Sequence, residues 1–83
     1  MYIVTIRKNA LKFLEVLNEP DYSKIKNAIF DLANNPRPKG CKKLKNREAY
    51  RIRQGDYRII YEIFDKVLTI DVVAIGHRRN IYE

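Results

Sequence analysis

Eighty-three residues with 17 Lys and Arg against 10 Asp and Glu give a net charge of +7. A chain this short is a single domain spanning residues 1–83, burying roughly 60–65% of its unfolded surface. Its hydrophobic content of 46% argues against disorder, and its single cysteine, Cys41, excludes an internal disulfide or a cysteine-rich zinc site. Met1-Tyr2-Ile3 runs into Arg7 and Lys8 with no long apolar stretch, so no signal peptide or membrane span is expected and the reading is cytoplasmic.

Tyr2-Ile3-Val4-Thr5-Ile6 is β-prone and reads as a first strand. Asn9 is placed to cap a helix in which Ala10, Phe13, Leu14 and Leu17 form one apolar stripe. Pro20 suits the first turn of a second helix and Asp21 its positive end. Tyr22, Ile25, Ala28, Ile29, Leu32 and Ala33 give that helix its own stripe, and Asn34-Asn35-Pro36-Arg37-Pro38-Lys39-Gly40 stops it. The two stripes need a sheet to cover.

The second half of the chain supplies that sheet. Lys42-Lys43-Leu44-Lys45 reads as a short strand, Tyr50–Gln54 and Tyr57–Phe64 as firmer ones. Between the firmer pair, Gln54-Gly55-Asp56 makes a hairpin turn, with positive φ available to Gly55 and tolerated by Asp56. Asp65-Lys66 leads tightly into Val67–Ile75, apolar enough to predict a central strand buried on both faces. The order β-α-α-β-β-β-β predicts an α+β domain, a helical hairpin on one face of a mainly antiparallel four- to five-stranded sheet.

Charge concentrates in the same region. From Arg37 to Arg58 there are nine basic residues and two acidic ones, Glu48 and Asp56. Such clustering points to nucleic acid or an acidic protein partner, set against the plainer reading of a solvated basic face. Alternation turns Tyr50 and Ile52 one way and Arg51 and Arg53 the other, holding arginines on a rigid hairpin together with Arg58. Cleaving an RNA phosphodiester through its own 2′-hydroxyl needs a base, an acid and cations for the phosphorane. Arginine fits the cationic role and is a poor base. His77, the single histidine, is the natural proton-transfer candidate, although a lone histidine at a strand end is more often structural. Tyr82 offers a relay or a stacking platform, and Glu62 a base or an arginine's partner. Carboxylates are scattered, so no metal site is expected.

The runs Tyr50-Arg51-Ile52-Arg53, Gly55-Asp56-Tyr57-Arg58-Ile59-Ile60-Tyr61 and Val73-Ala74-Ile75-Gly76-His77-Arg78-Arg79-Asn80-Ile81-Tyr82 closely resemble the RelE/ParE toxin superfamily, its RelE branch in particular. The resemblance spans nearly the whole chain and implies the same fold. It also implies a ribosome-dependent endoribonuclease that cuts mRNA in the ribosomal A site, needs no cofactor or metal, and is restrained by an acidic antitoxin. By position it makes Arg51 and Arg53 the paired basic sites, where lysines stand in the namesake. Arg58 becomes the transition-state ligand, Arg78 the tail arginine, and Tyr82 the tyrosine that stacks on the cleaved nucleotide. His77 falls where members vary between lysine and histidine, and with arginines in the strand it is the expected substitute for proton transfer. Arg37, Lys39, Lys42, Lys43, Lys45, Arg47 and Arg79 are the expected RNA and ribosome contacts. With Glu83 directly after Tyr82, inhibition is expected to neutralise charge or block ribosome entry, not to displace a terminal helix. The alternative is a ParE-like inhibitor of DNA gyrase, a non-enzymatic toxin also ending in a basic His/Gly/Arg cluster.

Overall fold

Strand β5 (Thr69–His77) is the axis of the molecule. In the computed structural model, which describes residues 1–45 and 47–79, it is flanked by β1 (Ile3–Ile6), parallel to it, and β4 (Tyr57–Phe64), antiparallel. Strands β3 (Tyr50–Gln54) and β2 (Lys42–Lys43) extend the sheet to the order β1-β5-β4-β3-β2. Helices α1 (Lys8–Glu15) and α2 (Asp21–Asp31) cover one face, the arrangement expected from the alternating and helical patterns.

The covered face holds the main core. Ala10 and Leu14 of α1 and Ile25 and Ile29 of α2 pack on Ile52, Ile59, Tyr61, Ile70, Val72 and Ile75. Each fully buried aliphatic side chain of this kind contributes about 1.5–3 kcal/mol. Tyr61, fully buried, donates its hydroxyl to the Pro36 carbonyl at 2.8 Å and so ties the loop after α2 to the sheet. Burial pushes the Tyr61 phenol well above its ordinary pKa, so it stays a neutral donor.

Four local expectations change. Asn9 does not cap α1; Arg7 holds that position, and the Asn9 amide instead donates to the Val73 carbonyl at 3.1 Å. Val73 is the extra residue of a β-bulge, since Ile60 pairs with Ala74 while Tyr61 pairs with Val72. Pro20 stands at the N-cap of α2, one residue before its first turn. The last strand begins at Thr69, after a 3₁₀ turn over Asp65–Val67 and Leu68 at φ +48°. Finally, β5 is an interior strand, second from the β1 edge with β4 in the middle, and it is not buried on both faces, because Thr69, Asp71 and Val73 on the uncovered side remain half-exposed.

Candidate nucleic-acid interface

The hairpin β3–β4 builds the site. Gly55 takes φ +60° at the first of two loop positions while Asp56 keeps negative φ, the pattern of a type II′ turn. That turn fixes the register Arg51↔Ile60 and Arg53↔Arg58. Tyr50, Ile52, Tyr57, Ile59 and Tyr61 belong to the helix-covered core. The pleat therefore sends Arg51, Arg53 and Arg58 to the opposite face. There they join Lys42, Lys43 and Lys45 around a cleft of about 540 Å³, with Leu44 the single apolar member. Among the described residues no carboxylate lines it.

The three arginines differ in depth. Arg51 is 5% exposed and forms the floor, beside a small apolar cluster of Leu44, Ala49 and Ile60. Arg58 is half-buried, and Arg53 is exposed at the rim. Two like charges directly opposite on a hairpin raise local positive potential, which favours a phosphate between them. Arg58 lies across from Gly76, and Arg78 follows two residues later. The Arg78 backbone N–H donates to the Asp56 carbonyl at 2.8 Å, and its Nε lies 3.8 Å from the Asp56 carboxylate. This anchors Arg78 at the same end of the sheet as Arg53 and Arg58.

Other expected site residues stand elsewhere. His77 pairs across the sheet with Tyr57 and shares its face, with ring centroids 5.7 Å apart and edge-on. Tyr57 in turn packs edge-on against Phe13 and donates to Asp21 at 3.2 Å. His77 thus lies on the helix-covered side, and its Nδ1 accepts the Arg79 backbone N–H at 3.3 Å. This corrects the expectation that His77 shares one exposed site with the arginines; the bulge at Val73 is the reason.

Arg37 is also committed elsewhere. It sits over the Tyr50 ring and bonds Asp65 at 3.0 Å, on the helix side. Asp65 accepts from Tyr2 as well, and the Arg37 bond holds its carboxyl below the ordinary range. Lys39 lines a different cleft, between α2 and β3. Arg47 and Arg79 are exposed. Glu62 is an arginine's partner: Arg7 bridges it at 3.1 Å and Asp71 at 2.8 Å, and Glu62 and Asp71 are cross-strand neighbours. Tyr82 lies outside the described residues. Sequence reasoning overlooked the Arg7 bridge, because its partners lie 55 and 64 residues away.

The family assignment now has independent support. Residues 4–82 match the sequence profile of the family described as the ParE toxin of type II toxin–antitoxin system, parDE. Over 84 aligned positions the chain is 34% identical to a protein of Methanocaldococcus jannaschii named for the toxin RelE1, covering 96% of this chain and 93% of that one. It superposes with TM-score 0.84 and 29% identity on the archaeal RelE–RelB complex from Pyrococcus horikoshii OT3, covering 96% of this chain and 98% of that one. The isolated Escherichia coli RelE toxin, at 22% identity and TM-score 0.80 over 93% of this chain and 84% of that one, shares the fold. The chain belongs to the RelE/ParE superfamily of toxins from type II toxin–antitoxin systems. Among the described residues no helix is long and apolar enough to cross a membrane.

Proposed function

We propose that the protein is the endoribonuclease of its toxin–antitoxin pair, cutting mRNA on the ribosome by attack of a 2′-hydroxyl on the adjacent phosphodiester. One observation carries this reading: three arginines and three lysines line a single cleft on the helix-free face. Charge on a pentavalent phosphorane is best stabilised by donors fixed before reaction, and a hairpin with defined register provides them. Arg53 and Arg58 take the non-bridging oxygens, Arg51 fixes the floor, and Arg78 closes the end near the turn. With His77 on the other face, proton transfer falls to the lysines of the cleft wall and to Tyr82. The acidic antitoxin acts by covering the same cations, in keeping with the complexes in which RelE relatives are seen.

The second reading, a ParE-like gyrase inhibitor, is favoured by the description of the matching family profile and by the distance of His77 from the cleft. Induction without antitoxin separates the two. Endonuclease action stops protein synthesis first and leaves cuts within codons; gyrase inhibition raises DNA-damage signalling before translation falls.

A further inference from the structure

A second cleft, of about 480 Å³, opens around the edge of the sheet between the end of α2 and β3. Its lining includes Asp31, Leu32, Asn35, Lys39, Ile52 and Arg53, and Arg53 also lines the cationic cleft. A strand of RNA passing over the edge therefore meets one arginine from both sides. The charges here converge without pairing: among the described residues no salt bridge engages Asp31, Lys39 or Arg53. Asp31 is moreover the last residue of α2, at the negative end of the helix dipole, where a carboxylate is disfavoured. Helix stability does not account for it.

We propose that this cleft takes one nucleoside of the RNA whose phosphate is held at Arg53, with Asp31 and Asn35 reading the base edge. Half-buried Ala28 and Pro38 flank the ring above the buried Leu32 and Ile52, and Lys39 meets the next phosphate. The volume falls in the roughly 300–1,000 Å³ range of small-molecule sites, too small for a folded partner element. Apolar walls, an acceptor edge and cations at the mouth together match the chemistry of a nucleotide. An ionised carboxylate accepts and cannot donate. Bases carrying an exocyclic amino group are thus favoured over uracil, whose single N3–H donor is flanked by two carbonyl oxygens that a carboxylate repels. The inference rests on the RNA reading of the cationic cleft and assigns it a base-selective neighbour.

The test is an NMR titration of the isotopically labelled full chain with 2′-O-methyl trinucleotides, which cannot be cleaved: oligo-A, oligo-U and an abasic analogue with the same phosphates. The expected result is that oligo-A moves the amides of Asp31 to Asn35 together with those of β3 and binds roughly tenfold tighter than oligo-U. The abasic analogue moves only the cationic cleft. Asp31→Asn abolishes the A-over-U preference while phosphate-driven shifts at Arg58 persist, and Asn35→Ala, in the loop beyond α2, weakens the preference independently. If oligo-A binds at Arg58 but leaves Asp31 to Asn35 unmoved, this inference fails and the function stands. If no trinucleotide binds at either cleft, both fall. Shifts at Asp31 produced only by an acidic peptide assign the cleft to a protein partner and overturn the proposal.

Discussion

Arg58 shows how much one position on a pleated sheet decides. Its neighbours Tyr57 and Ile59 belong to the core, whereas Arg58 faces Arg53 across the hairpin in the cationic cleft. Replacing it with alanine is expected to slow mRNA cleavage about a hundredfold, roughly 3 kcal/mol in the transition state, with ribosome binding much less affected. His77→Ala is expected to leave the cleavage rate within a few-fold of wild type, because His77 stands on the helix-covered face, whereas loss of a general acid or base costs about 10²–10⁴. Single-turnover rates on stalled ribosomes check both. Asp65 gives a pH signature unrelated to catalysis. Its bonds to Arg37 and Tyr2 lower its pKa relative to the unfolded chain, where carboxyls titrate near 3.9. The stabilisation is therefore complete above that unfolded value and is lost as pH falls through the folded one. Asp65→Asn should flatten the fall in melting temperature below about pH 4, and an unchanged acid limb would remove Asp65 from the account.

At the scale of elements, the β3–β4 hairpin and the segment of residues 42–45 beside it build the cleft, and the bulge in β5 turns His77 to the other face. Gly55 at φ +60° has nothing within 4 Å of where a Cβ would stand, so Gly55→Ala carries a conformational cost without a clash. About 1 kcal/mol of stability is expected to be lost, readable by denaturant unfolding. Asn9→Ala removes the side-chain donor to the bulged Val73 carbonyl and is expected to cost about 1 kcal/mol. Arg7→Ala leaves Glu62 and Asp71 facing each other and lowers the melting temperature, and adding Glu62→Gln restores part of the loss. The hairpin was legible in the sequence because Tyr50–Gln54 alternates in polarity, Tyr57–Phe64 is rich in β-branched and aromatic residues, and the two bracket a glycine turn. The last strand was not. Its near-continuous apolar run hides which residues face the helices, and the bulge at Val73 reverses the pattern so that Ile75 and His77 turn inward. Arg51 was legible as a basic alternate on β3, but its 5% exposure is a product of tertiary packing that periodicity does not encode.

For the molecule as a whole, the helix-free face concentrates three arginines and three lysines in one cleft on a chain of net charge +7. Association with an acidic antitoxin or with ribosomal RNA should be fast at low salt and slow steeply as ionic strength rises. Stopped-flow rates that stay flat between low and high salt would contradict this. The central claim is that arginines from separate segments act together on one RNA phosphate, without help from the histidine behind the sheet. Primer extension on a message translated in vitro with the purified protein tests it most directly, comparing wild type, Arg58→Ala and His77→Ala. The account predicts cuts within codons for wild type and His77→Ala, and cuts nearly absent for Arg58→Ala. Full cleavage by Arg58→Ala, or an intact message with wild type, would contradict it.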